Sequence, residues 1–446
     1  MEIPERSDSR IKRKEDNRTP FKRDYDRLLY SSAFNRLTGV TQVVNPAEGL
    51  IFHNRLTHSI KVAQIGTRLA ERLLQKYPED NKRIQYYGGI NPDVVSTAAL
   101  AHDIGTPPFG HIAEQKLNEI MLDRIKDPDG FEGNAQSFRI VTKLSAAYTA
   151  HSGLNLTCAS LNAILKYPWF AGKNPKKESK KYGVYTSERE DFDWARSPYP
   201  HLSNIKTLEA ALMDLADDMI YAIHDLEDFY RANIIPFQTM FNEIKVDEVI
   251  EILKKTNENW FIKDDIDLED VALRVTKGAL EYFNIGKPYE GTRVDYNYLH
   301  SLTSQYLTQF IDGVQLSNDI ERDKTPVILD SVPAAVLVVL KDKFKNYMFT
   351  RPALLRQQLG EVKIIGDLFE ILFEASSSSS QWRRIIPPLN GREVLEKLDK
   401  TPQKDDIAAR ARIVVDVISG LSDQEAMRLH GRLTGSTPGS IFDFIM

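Results

Sequence analysis

A chain of 446 residues with 58 Lys+Arg against 63 Asp+Glu carries a formal charge of -5. The length supports a large core or roughly two to three domains, and the charge excludes a global pull toward nucleic acid or acidic membrane, so any anion site must be built locally. The single cysteine, Cys158, lies near Leu154, Leu156 and Leu161 and reads as a core residue in a reducing setting; with no apolar signal core and no membrane-length apolar run, a cytoplasmic protein without a membrane partner is expected.

Residues 1–20 are charged and poor in apolar anchors, and read as a flexible arm with order beginning near Pro20. Val62, Ile65, Leu69 and Leu73 then recur at helical spacing. The apolar run Val94–Ala101 ends at His102-Asp103, and Gly105-Thr-Pro-Pro-Phe-Gly110 cannot continue a helix, which sets the His-Asp pair at a helix end facing a rigid loop. The stretch 173–200 reads as a long loop or short hairpin over the site. A second long stripe follows in Leu208, Ala211, Leu212, Leu215, Met219, Ala222, Ile223 and Leu226. Helical patterns continue through Val246–Leu253, Leu299–Phe310 and Ala408–Ile418, while 325–339 suits either a strand or a buried helix and Ser376–Ser380 a flexible link. The expected fold is all-α, with a core over 21–240, a helical region over 241–446 for support, oligomerisation and part of the ligand pocket, and room for a small β element.

Three remote segments carry the chemistry. Arg55-Leu-Thr-His58, His102-Asp103 and Asp217 together supply two imidazoles and two carboxylates, a ligand set for one divalent metal with coordination places left open. Mn or Mg suits such donors best, with Fe, Co, Ni or Zn as alternatives. Arg55 lies one turn before His58, so a permanent cation shares its cavity, as a phosphate substrate requires. Asp217, Tyr221 and Asp225, four apart, form one polar helix stripe. His111 and Glu114, three apart, form an acid/base candidate and its orienting partner. Taken singly, each has a plainer reading as a surface ion pair, a helix-start hydrogen bond or a solvated acidic face. No Walker-type glycine cradle occurs, so phosphates must be held by side chains and metal.

The order R-x-x-H, H-D-I-G-x-P-P-F-G-H-x-x-E, D-x-x-x-Y-x-x-x-D resembles the HD-domain dNTP triphosphohydrolases, specifically the bacterial dGTPase family. Arg18–Arg27, Ser32–Leu37, Thr41-Gln42, Phe131–Gln136, Leu165–Trp169 and Lys181–Gly183 extend the resemblance. It implies a helical HD fold and hydrolysis of a dNTP to deoxynucleoside and inorganic triphosphate by water attack at the α-phosphorus. It also implies His58, His102, Asp103 and Asp217 as metal ligands, with His111 and Glu114 near the scissile bond. Arg55, Asn134, Lys166, Lys181, Tyr221 and Asp225 would line the triphosphate and sugar, and Gln42 would meet the 3′-hydroxyl. A homo-oligomer such as a hexamer, and a dNTP or single-stranded DNA effector, belong to the same expectation. Three positions depart from the pattern. Thr106 replaces a second-metal His, Asp218 stands where a relative has a basic residue, and Gln358 replaces an acid, which weakens the case for strict guanine preference. The alternatives are an HD phosphohydrolase acting on a nucleoside monophosphate or signalling nucleotide, and a nucleotide- or single-stranded nucleic-acid-binding protein with a structural metal.

Overall fold

Capped helices, rather than sheets, carry the backbone. The computed structural model describes residues 5–10, 16–42, 53–79, 81–146, 151–172, 181–233, 244–261, 266–279, 288–318, 325–348, 352–403 and 406–438. Helix α1 (Pro20–Leu29) starts where Pro20 sets the first turn and the Thr19 hydroxyl accepts the Lys22 N–H at 3.2 Å. Helix α2 (Arg55–Lys76) opens on a reciprocal cap between Asn54 and Thr57 and buries the Val62, Ile65, Leu69, Leu73 stripe. Helix α3 (Pro92–Ala101) crosses it so closely that a Cβ at Gly66 would meet Val95 Cγ1 at 2.9 Å. Next come α4 (His111–Glu119), α5 (Gly133–Arg139) and α6 (Cys158–Ile164). The long α7 (Leu208–Arg231), capped by Thr207, packs on α2 and α3 to complete a three-helix centre.

The later part of the chain is helical too. Helix α8 (Arg293–Gly313) leads into strand β1 (Val314–Leu316), which pairs antiparallel with β2 (Val327–Leu329), Val314 opposite Leu329. Helix α9 (Ser331–Met348) follows at once, so the ambiguous 325–339 run is a short strand and then a buried helix. Helices α10 (Pro352–Ala375), α11 (Ile407–Ser419) and α12 (Asp423–Leu433) end the described chain. No helix among the described residues is long and apolar enough to cross a membrane.

Two apolar cores divide these elements. The first joins α2, α3, α6 and α7 with Ala334–Leu340 of α9. The second joins Phe109, Ala113 and Leu117 to Ile365, Phe369 and Leu372 of α10, Val414 of α11 and Ala426 of α12. The helix bearing His111 and Glu114 therefore rests on α10–α12, which makes these late helices part of the site's foundation.

Three local expectations need correction. The arm does not begin to order at Pro20: Glu5–Ser7 forms a helical turn, and Arg6, only 5% exposed, binds the Gly88 carbonyl and Glu209. Glu209 is fully buried, and an uncompensated buried carboxylate is costly, so the arm supplies its counterion. Within 173–200, residues 173–180 lie outside the described residues, and Arg189–Arg196 is a helix whose Ala195 and flanking Phe192 and Trp194 pack on the first core. Ser376 is buried, with its carbonyl held by Arg383 and Arg410, so that link starts from an anchored residue. Cys158 is the expected core residue, and burial pushes its thiol up to about 12.

Candidate metal centre and active site

The helix-end loop after α3 is locked before it reaches the site. Arg36 donates to the carbonyls of Ile104 and Thr106, both at 2.8 Å, and to the Leu421 carbonyl at 2.8 Å. Gly105 lies against α5, and a Cβ there would fall 2.2 Å from the Gly133 oxygen and 2.2 Å from the Ser137 nitrogen. Phe109 adopts φ +65°, a left-handed conformation unusual for a non-glycine residue. Its N–H donates to Asp423 Oδ1 at 2.9 Å, while the Thr41 N–H donates to Asp423 Oδ2 at 3.0 Å. One carboxylate of α12 thus fixes both the approach to His111 and the strand-like turn carrying Gln42.

The four expected ligands converge at this loop. His58, His102 and Asp103 offer ligand atoms all within 4.8 Å of one another. Asp217 joins through the imidazoles, its Oδ1 lying 3.0 Å from His58 Nε2 and 3.5 Å from His102 Nε2. His102 Nδ1 donates to the Ala99 carbonyl at 2.7 Å, which turns Nε2 toward the cluster. Arg55 grips Asp103 Oδ2 at 2.8 Å, and the Thr106 hydroxyl donates to Asp103 Oδ1 at 3.0 Å. Lys166 binds Asp217 Oδ2 at 2.8 Å and Asp214 at 2.7 Å.

Burial works against charge here, and the partners overcome it. Arg55 and His102 hold Asp103, and Lys166 and His102 hold Asp217, well below the carboxylate range despite burial. Burial also opposes a charged His102, but Asp103 and Asp217 push its pKa up to about 10; His58, by contrast, is lowered by burial.

A second group stands alongside. His111 Nδ1 lies 3.0 Å from Glu114 Oε2, leaving an exposed ring edge. Lys181 bridges Glu114 Oε1 and Glu132 Oε1, both at 2.9 Å, and Asn134 Nδ2 donates to the same Glu132 oxygen at 2.8 Å. Burial tends to raise Glu114, but His111 and Lys181 keep it low; Glu132, buried beside Glu114, is raised by that burial despite Lys181. On α7, Tyr221 is 38% exposed and its hydroxyl is raised chiefly by Asp225, while burial raises Asp225 itself well above the carboxylate range. The Gln42 Oε1 is buried without a hydrogen-bond partner among the described residues. Gln358 lies half-buried on α10. A cavity of about 250 Å³ opens beside Lys166 and Asp214, where Asp218 is answered by Lys341 of α9 at 2.6 Å and by Trp260 Nε1 at 2.8 Å.

Residues 55–221 match the HD domain, and residues 330–432 match the phosphohydrolase-associated domain. A deoxyguanosinetriphosphate triphosphohydrolase-like protein of Shewanella loihica is 31% identical over 97% of this chain and 96% of its own length. A protein of the same description from Streptomyces coelicolor is 32% identical over 95% and 94%. The chain belongs to the HD-domain dGTP triphosphohydrolase-like family. HD domains bind divalent metals, and the donors of this family member fit one. His102 Nε2 is buried without a hydrogen bond among the described residues, 3.4 Å from Asp103 Oδ2, and the imidazoles and carboxylates gathered there are donors that a divalent cation accepts.

Some parts of this triphosphohydrolase-like site were not anticipated. Glu132, Asp214, Lys341 and His224 contact expected residues or their immediate neighbours, while Lys206 holds Asp214, His53 stacks on His224 and Asp228 holds His53. His224 was reachable, since it lies seven residues after Asp217, two helical turns along the same face. Asp214 and Glu132 were reachable as well, three residues before Asp217 and two before Asn134, whereas Lys206, Lys341 and the His53–Asp228 pair come together only through tertiary folding.

Proposed function

We propose that this family member hydrolyses deoxynucleoside triphosphates to deoxynucleoside and inorganic triphosphate. Water adds to the α-phosphorus and the bond to the 5′-oxygen breaks. The observation that carries this reading is the convergence of His58, His102, Asp103 and Asp217, with Arg55 and Lys166 as flanking cations. A single divalent cation, Mn or Mg by donor chemistry, would be held by those four residues and would polarise the phosphoryl group as a Lewis acid. Thr106 occupying the second oxygen of Asp103 supports one metal rather than two.

The chain's own groups divide the remaining work. Arg55, Lys166 and Lys181 neutralise the triphosphate, and Asn134 lines its path. Glu114 accepts a hydrogen bond from His111 Nδ1–H, so in its imidazolium form His111 passes the Nε2 proton to the departing 5′-oxygen, and the proton shed by the attacking water recharges the ring. Tyr221 and Asp225 line the sugar, and the buried amide oxygen of Gln42 awaits the 3′-hydroxyl. The protein works in the cytoplasm as a homo-oligomer, and Leu355 and Leu359 of α10, 53% and 72% exposed, supply apolar contact area. Incubation with each dNTP and NTP in Mn or Mg, followed by chromatography of every product, tests the assignment. Equimolar deoxynucleoside and triphosphate are expected; orthophosphate or pyrophosphate as the first product overturns it.

A further inference from the structure

Behind the ligand cluster stands a column of three imidazoles. His58 turns Nδ1 toward His224 Nδ1, 3.3 Å away, and His224 lies flat on His53 with ring centroids 3.7 Å apart and planes inclined by 5°. The far end is held by charge. His53 Nδ1 is 2.8 Å from Asp228 Oδ1, the His53 N–H donates to Asp228 Oδ2 at 3.1 Å, and Lys61 Nζ is 2.9 Å from His53 Nε2. His58 is 0% and His224 2% exposed, so bulk water cannot replace either partner.

Ligation of a cation through His58 then fixes a direction, at the cost of leaving the proton of His224 on its Nε2, a buried nitrogen without a partner among the described residues. His58 Nε2 is the nitrogen that faces the cluster, 3.0 Å from Asp217 Oδ1. To ligate a cation through it, the neutral ring must carry its proton on Nδ1, and a buried N–H needs an acceptor. His102 meets the same need with the Ala99 carbonyl. At His58 no carbonyl or carboxylate is recorded on Nδ1 among the described residues; the recorded partner is the ring nitrogen of His224.

We propose that His224 is a positioning residue whose Nδ1 accepts the His58 Nδ1 proton, fixing the ring pose and tautomer in which His58 Nε2 meets the metal. The His53–Asp228–Lys61 assembly in turn holds the His224 ring in place. This inference rests on His58 being a ligand in the proposed function, yet it needs no nucleotide to be tested.

The test is calorimetric titration of Mn²⁺ into the metal-stripped full-length protein. His224→Phe keeps a ring to stack on His53 but removes the acceptor, and metal affinity should fall about 10–100-fold, the usual cost of losing such a supporting contact. His224→Asn returns an acceptor oxygen near the Nδ1 position and should restore most of that loss, which a merely space-filling role would not do. Wild-type affinity in His224→Phe, or no recovery in His224→Asn, overturns the inference. Should His224→Phe fail to fold by circular dichroism, His224→Asn decides alone: near-wild-type affinity supports the role and a loss of about tenfold or more overturns it. A wild type that takes up no divalent cation removes the metal reading itself and this inference with it.

Discussion

Removing the Asp423 carboxylate should disturb chemistry on the far side of the chain. In Asp423→Ala, the N–H groups of Phe109 and Thr41 lose acceptors at 2.9 and 3.0 Å, and the Thr41 hydroxyl loses its partner as well. The buried Phe109 donor left unpaired costs about 1–3 kcal/mol and the part-buried Thr41 donor, which water reaches, costs less, so the two backbone groups together give about 1–4 kcal/mol. Loss of a negative charge from the first turn of α12 adds about 0.3–1 kcal/mol. Phe109 also depends on its surroundings to hold φ +65°, and relaxing it moves Gly110 and His111. Asp423→Asn keeps one acceptor oxygen and should lose roughly half as much. Urea denaturation midpoints and steady-state turnover, measured with metal content on the same samples, read the two effects. The expected order is wild type, Asn, Ala in both stability and turnover, with metal content retained. Unchanged midpoint and turnover in Asp423→Ala would refute the claim that α12 anchors the loop.

Further outcomes follow from the same geometry. His111→Ala should cut turnover about 10²–10⁴-fold while leaving metal content intact; wild-type turnover would remove His111 from the mechanism. Gly105→Ala places a Cβ 2.2 Å from two backbone atoms that cannot rotate away, so a loss of about 4 kcal/mol or more is expected in denaturant unfolding, and a loss under about 1 kcal/mol would contradict it. Glu209, fully buried, has its carboxyl pushed up to about 7 by burial, against Arg6. Because its folded pKa exceeds its unfolded value, the folded state binds the extra proton. Its contribution is fully present below about pH 4.5 and lost as pH rises to about 7, on the order of 3 kcal/mol. Glu209→Gln should flatten that fall in melting temperature across pH 5–8; an unchanged slope would remove Glu209 as its source.

The helices were legible because their apolar residues repeat at the helical period. Val62, Ile65, Leu69 and Leu73 are all buried as the spacing requires, and the Pro-Pro loop does end the α3 segment beside His102 and Asp103. The convergence of His58, His102, Asp103 and Asp217 followed from donor chemistry and from resemblance, since nothing in local spacing brings them together. The burial of Arg6 was not legible, because a charged residue in a charged arm looks solvated until its pairing with the buried Glu209 is known. Likewise His53 and Asp228, 175 positions apart, carry no shared sequence signal. The pairing of Asp218 with Lys341, 123 residues on, carries no shared sequence signal either.

Element-specific metal analysis of the protein after loading with Mn²⁺ and dialysis tests the central claim most directly. One equivalent per chain is predicted for the wild type, with none retained by His102→Ala or Asp103→Ala that remain folded. A wild type that retains no metal, or folded variants that still hold a full equivalent, would contradict it.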